Sequence, residues 1–414
     1  MSPADTTPPS VSVTITPVAG NTVHAPGESL ELTLTATDDQ QLAWLGYALG
    51  PPALLRDSVP LTGTEGDITR TISIDARWDG RVSVSAFAWD AAGKYGVVSK
   101  DTVDVVDAVR RPFHELLLMS PVYDVASDAK RNQLYLSQPA AQQIAVLDLE
   151  TRAFQSPIAL FGSPWGLDLT LSGDSLLVAL RRTHYLAFVN LSSSVVDTVR
   201  LNMPSEQWSG PANLRVMANG NALLTLTCDF CSGFRYRVWQ YQISTGVAAE
   251  RTDVPMVTEF VPLVRGHDRQ RLLALIDNAC CPVKGWVYEA ENDAFTVMDN
   301  TVNRYFPSVS TDATGSQFLI GASVFDASLR LVAELQAPQY NDGATVIASD
   351  GTAAFIAVQH GYVKVRIPDG AVLERVLLPI TPHRLLMIAD EQTLIAMAFD
   401  AHTGQHLLWL VDLQ

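Results

Sequence analysis

The sequence predicts an all-β protein, an N-terminal immunoglobulin-like β-sandwich over residues 8–107 followed by a seven-bladed β-propeller over 113–414. Two observations carry this. An apolar pair recurs at Leu134, Leu176, Leu223, Leu272, Leu319, Phe355 and Leu394, each about 12 residues after Pro121, Pro164, Pro211, Phe260, Pro307, Gly343 or Pro382. Self-similarity at about 36 to 49 residues marks an array whose strand-rich units cannot bury their apolar faces alone, as in propeller blades. Before the array, apolar residues alternate with polar ones in six short runs separated by turn clusters, the pattern of half-buried strands.

Those six runs are Val11 to Ile15, Leu30 to Ala36, Leu42 to Leu49, Ile68 to Ile74, Val82 to Trp89 and Val97 to Val106. Their number and spacing come close to the seven strands of a sandwich of about 100 residues. The lead-in Asp5-Thr6-Thr7-Pro8-Pro9 is stiff and extended, because proline holds φ and disfavours helix in the residue before it. Residues Ser83-Val84-Ser85-Ala86-Phe87-Ala88-Trp89-Asp90-Ala91-Ala92-Gly93-Lys94 resemble the penultimate strand and turn of bacterial immunoglobulin-like surface modules. That resemblance implies a spacer or adhesion unit at a cell surface and brings no catalytic residues.

Ala108 to Pro112 links the two parts. In the first two repeats, Ser120-Pro121, Asn132-Gln133-Leu134-Tyr135-Leu136 and Ile144-Ala145-Val146-Leu147-Asp148, then Ser163-Pro164-Trp165-Gly166, Ser172-Gly173-Asp174-Ser175-Leu176-Leu177-Val178 and Leu186-Ala187-Phe188-Val189-Asn190, follow one order of proline, turn, strand and strand. This order resembles the YVTN-type, lactonase-like bacterial propeller repeat. Around Leu319 too few residues separate the strands for an ordinary hairpin. The last repeat, with Arg384 to Ile388, Thr393 to Phe399 and His406 to Leu413, is one strand short of four. Pairing it with residues 114–119 would close the ring and remove an exposed edge.

Net charge is -16 with a pI near 4.8, which argues against a phosphate backbone as partner. Arg110 with Arg111, and Arg181 with Arg182, are the densest positive spots and read as solvated loops. No run of about 18 apolar residues encodes a membrane-spanning helix, and Met1 to Thr7 lack the regions of a signal peptide. An exported form would therefore have lost its signal.

Aligning Leu223 with Leu272 sets Cys231 opposite Cys280, with Cys228 and Cys281 beside them, so all four cysteines fall in equivalent loops of neighbouring repeats. Two disulfides in an oxidising compartment are the structural reading, with three connectivities open. Cys228-x-x-Cys231 also has zinc-ligand spacing, but adjacent Cys280-Cys281 would strain a tetrahedral site. A redox-active pair is the third reading, although no thioredoxin-like context surrounds it.

Nucleophile-elbow, zinc-protease, P-loop, dinucleotide and EF-hand motifs are missing from the sequence. No cofactor is expected. Residues just after the repeated prolines begin the innermost strands and should face the central channel: Tyr123, Trp165, Asn213, Ser308, His383 and Arg384. Of these, Tyr123, Trp165, Asn213, His383 and Arg384 are the candidates for ligand binding, against the plainer reading that they plug the channel. Asp124 and Asp168 lie slightly deeper, and His184, His360 and His402 fall in loops on one face. The expected protein is an extracytoplasmic, secreted or envelope-attached bacterial binding protein whose partner, a protein or a small ligand, meets the propeller face. A lactonase-like hydrolase or a lyase working in the channel is the alternative.

Overall fold

The structure is a computed structural model that describes residues 7–17, 23–50, 55–74, 80–96, 100–106, 108–202, 210–228, 235–254, 262–278, 281–297, 308–335, 344–388 and 392–413. All its regular elements among these residues are strands. The chain separates into two compact units, residues 1–110 with 375–379 and residues 111–374 with 380–414.

Among the described residues the first unit holds eight strands: β1 (Ser10–Pro17), β2 (Val23–His24), β3 (Ser29–Thr37), β4 (Leu42–Gly50), β5 (Leu55–Pro60), β6 (Glu65–Ser73), β7 (Gly80–Asp90) and β8 (Lys100–Val105). Strands β2 and β5 are additions to the six apolar runs, too short or too polar to show the alternation. One sheet has the order β1-β3-β6 and the other β2-β8-β7-β4-β5. Period-2 alternation turns Leu30, Leu32, Leu34 and Ala36 of β3, and Val82, Val84, Ala86 and Ala88 of β7, into one shared apolar core. The stretch after Trp89 turns sharply, with the Asp90 carboxylate accepting the Lys94 backbone N–H at 2.7 Å and Gly93 at φ 81°. Trp44 on β4 stays 45% exposed.

Among the described residues the second unit carries seven sheets, each with four antiparallel strands in order. The first has a further short strand, Ile158–Ala159, paired to Gln143–Asp148. The apolar pairs of the repeat all lie on the second strand of a sheet. Leu134, Leu176, Leu223, Leu272, Leu319, Phe355 and Leu394 are each no more than 2% exposed. Such strands are apolar on both faces because each blade packs between two others, so Ser175–Arg181 is buried in its five central residues.

The tight blade around Leu319 is complete. Gln317–Ile320 pairs with Ser323–Asp326 across a loop of only Gly321 and Ala322, with Gly321 at φ 59°, the geometry of a two-residue hairpin with glycine first. In the last sheet the order is Arg384–Met387, Thr393–Asp400, Gln405–Asp412 and then Phe113–Leu118. The outermost strand thus comes from the start of the unit, with Leu116 opposite Leu408 and Leu118 opposite His406. Buried Trp409 reinforces this seam by donating its indole N–H to Glu115 at 2.8 Å.

Candidate functional site

Innermost strands of the seven sheets surround a cavity of about 710 Å³. Seven strands converging on one axis leave room there that their side chains fill only in part, and the polar residues of the inner strands line it. Among the described residues, its charged and imidazole lining is Asp124, Asp168, Arg215, Arg265, His267, Arg269, His383 and Arg384.

Two repeated devices organise these charges. Asp124 of the first blade, 3% exposed, accepts the backbone N–H of Leu167 in the second blade at 3.1 Å and two N–H groups of Arg215 in the third at 2.6 and 3.0 Å. Asp168 of the second blade repeats the scheme one step on, accepting Val216 N–H of the third blade at 2.8 Å and Arg265 of the fourth at 2.7 and 2.8 Å. Each carboxylate therefore ties three consecutive blades together. Burial pushes the Asp168 carboxyl up, but Arg265, with Arg269 and Arg215 behind it, outweighs burial and holds it below the usual carboxylate range. In the fifth blade Ser310 takes the equivalent place, its hydroxyl accepting Ile347 N–H of the sixth at 3.0 Å.

The remaining cations are less well matched. Arg384 donates to the Tyr123 carbonyl at 2.6 Å and lies 3.6 Å from Asp124, whose carboxylate already holds Arg215. Arg269 donates to the Leu169 carbonyl at 2.9 Å. Burial lowers the proton affinity of both guanidiniums against the opposing pull of Asp124 on Arg384 and of Asp168 on Arg269, and Arg215 beside Arg384 and Arg265 beside Arg269 add to the lowering. His383 is likewise pushed below its ordinary value by burial, then by Arg384 and His406.

Of the sequence candidates, Tyr123, Asn213, Ser308, His383 and Arg384 all line the cavity. Trp165 does not; its ring lies against Tyr123 with centroids 4.0 Å apart and carries the Arg181 guanidinium 3.7 Å over its face. Arg181 is thus part of an aromatic stack, not the solvated loop expected from its neighbourhood. Arg110 and Arg111 also have partners, in Glu28 and Glu374 respectively. Tyr123 donates its hydroxyl to Asn213 at 3.4 Å, and the Ser308 hydroxyl exchanges bonds with the backbone of Thr345.

Asp124 and Asp168, the nearest carboxylates for an acid–base role, are both committed to arginines. His184, His360 and His402 each sit in a separate blade, and among the described residues no group of three metal-ligating side chains is assembled. Cys228 ends one strand and Cys281 begins another. The side chains of these two, together with Cys231 and Cys280, lie outside the described residues, and so does the disulfide reading.

Sequence reasoning missed Arg215, Arg265 and Arg269. The first two carried a usable signal: three to five residues after the repeat positions Pro121, Pro164, Pro211, Phe260 and Pro307 the chain reads Asp124, Asp168, Arg215, Arg265 and Ser310. Arg269 sits in the turn after its strand, beyond that column.

The larger unit is a β-propeller. Its likeness to a solved structure, the β-propeller domain of Cps50 (Swd1) from Myceliophteria thermophila, has a TM-score of 0.54 at 12% identity and covers 72% of this chain and 100% of that one. At that identity the likeness establishes the fold alone. No family model and no curated protein matches the sequence. No described helix is long and apolar enough to cross a membrane.

Proposed function

We propose that this propeller protein is a binding or interaction protein whose central channel holds a ligand or the tip of a partner. One observation carries the reading: the cavity has the size of a small-molecule site and, among the described residues, is lined by four arginines against two carboxylates, both of them already paired. A hydrolase or lyase would need an acid or base free to exchange a proton with substrate. The two cavity carboxylates are each held by a bidentate arginine, so this alternative would have to run on His267 or His383.

The finer reading places the protein outside the cytoplasm of a bacterium, secreted or attached to the envelope, with an immunoglobulin-like first unit as stalk and a propeller of the YVTN type as contact surface. Its support is the four cysteines in equivalent loops and the Ser83–Lys94 strand and turn. Thiol counting on denatured protein from an oxidising compartment tests the location; four free thiols would overturn it. A small-molecule thermal-shift and native mass-spectrometry screen tests the channel. A hit should weaken by roughly 2 kcal/mol or more when Tyr123 is truncated to alanine, since aromatic anchors dominate binding energy. Hits unaffected by that change, or no hits and no captured partner, would move the function elsewhere.

A further inference from the structure

We propose that the propeller channel is a receptor for a small organic dianion, a molecule bearing carboxylate or phosphate groups, held by Arg269, Arg384 and His383. This rests on the reading of the channel as a ligand site and adds the chemistry of its occupant.

The argument begins with charge. The chain as a whole carries -16, yet among the described residues four guanidiniums and two carboxylates line the cavity, an excess of two positive charges there before any histidine is counted. Asp124 and Asp168 spend their charge on Arg215 and Arg265, at 2.6 to 3.0 Å. Arg384 and Arg269 are left with backbone carbonyls as hydrogen-bond acceptors and only a share of Asp124 and Asp168, which already hold Arg215 and Arg265, so that four cations divide two carboxylates. A carbonyl accepts a hydrogen bond but supplies no counter-charge, and a cation taken out of water calls for one.

Arginine is also the side chain that best fits planar carboxylate and tetrahedral phosphate, through parallel N–H donors. His383, near Arg384, adds a ring N–H donor without a further charge at neutral pH, because burial and Arg384 keep it from protonating. The lowered proton affinity of both arginines is the same unmet demand seen from the other side. An excess of two cations selects a dianion, and about 710 Å³ admits a small molecule.

Calorimetry and thermal shift on the full chain test this, with succinate, malate and inorganic phosphate as probes. Chloride and the neutral isostere succinamide serve as controls at matched ionic strength. At least one dianion should raise the melting temperature saturably, with chloride and succinamide inert. The order of succinate against phosphate then tells a carboxylate ligand from a phosphate one. Arg269→Gln and Arg384→Gln should each weaken binding tenfold or more, and the corresponding lysine variants should recover part of it. If Arg384→Gln does not fold, Arg269→Gln and His383→Gln decide. No saturable response to any dianion beyond chloride overturns the proposal, as do unchanged affinities in the glutamine variants. Binding of neutral molecules in the channel, with dianions inert, would overturn this inference while leaving the binding reading intact; no ligand of any charge would end both.

Discussion

Asp168 shows how much one side chain can be asked to do. It is 4% exposed and accepts four N–H groups, from Leu169, Val216 and twice from Arg265. Asp168→Asn keeps the shape but leaves the Arg265 guanidinium without its counter-charge, and breaking a buried pair in this way costs about 3–5 kcal/mol. Urea denaturation should show that loss, and Arg265→Met added to the same chain should return part of it. The pH dependence has a definite sign. A carboxyl held below its unfolded value, near 3.9, contributes stability that is fully present above that value and drains away as pH falls through the lowered folded value. The gap in stability between the natural chain and Asp168→Asn should therefore narrow below about pH 4. A gap constant down to acid unfolding would show that the Asp168 charge does not stabilise the fold.

Between neighbouring inner strands the blades approach closely enough to exclude a methyl group. A Cβ on Gly166 would sit 2.5 Å from the Leu214 backbone nitrogen and 2.6 Å from the Ala212 carbonyl oxygen, next to the bulge between Pro164 and Leu167. Backbone cannot retreat as a side chain can, so Gly166→Ala should cost about 1–3 kcal/mol, read as a lowered denaturation midpoint. At the seam, the strand Phe113–Leu118 pairs with Gln405–Asp412 and buries Leu118 in the core of the first and last blades. Leu118→Asp should loosen that edge. Hydrogen exchange at Gln405–Asp412 should then speed up while the second strand of the second blade, Ser175–Arg181, keeps its protection; equal loss at both would mean that the ring fails as a whole. Strand existence was legible because alternation and repetition are local. Strands β2 and β5 were not, since β2 has two residues and β5 too few apolar ones to set a period.

Taken over the whole molecule, charge acts in two opposed directions: -16 spread over the chain and an arginine excess in the channel. At about 0.01 M salt the Debye length is near 30 Å and a dianion approaching the mouth feels the repelling total. At about 0.15 M it is near 8 Å and only the lining acts. Association rates for a dianion should therefore rise with salt over that range, against the usual fall for oppositely charged partners; a steady decline in stopped-flow rates would contradict it. The repeat itself, the apolar second strands and the first residues of each inner strand were determined by the sequence, because a blade is built from neighbours in the chain. Tyr123, Asn213, His383 and Arg384 could be placed at the channel on that basis. What only the tertiary structure decided is which charges meet. Asp124 and Arg215, or Asp168 and Arg265, stand 91 and 97 residues apart in the chain, two blades from one another. Their pairing, and the two arginines it leaves over, follow from closing seven strands around one axis, where distance along the chain no longer measures distance in space.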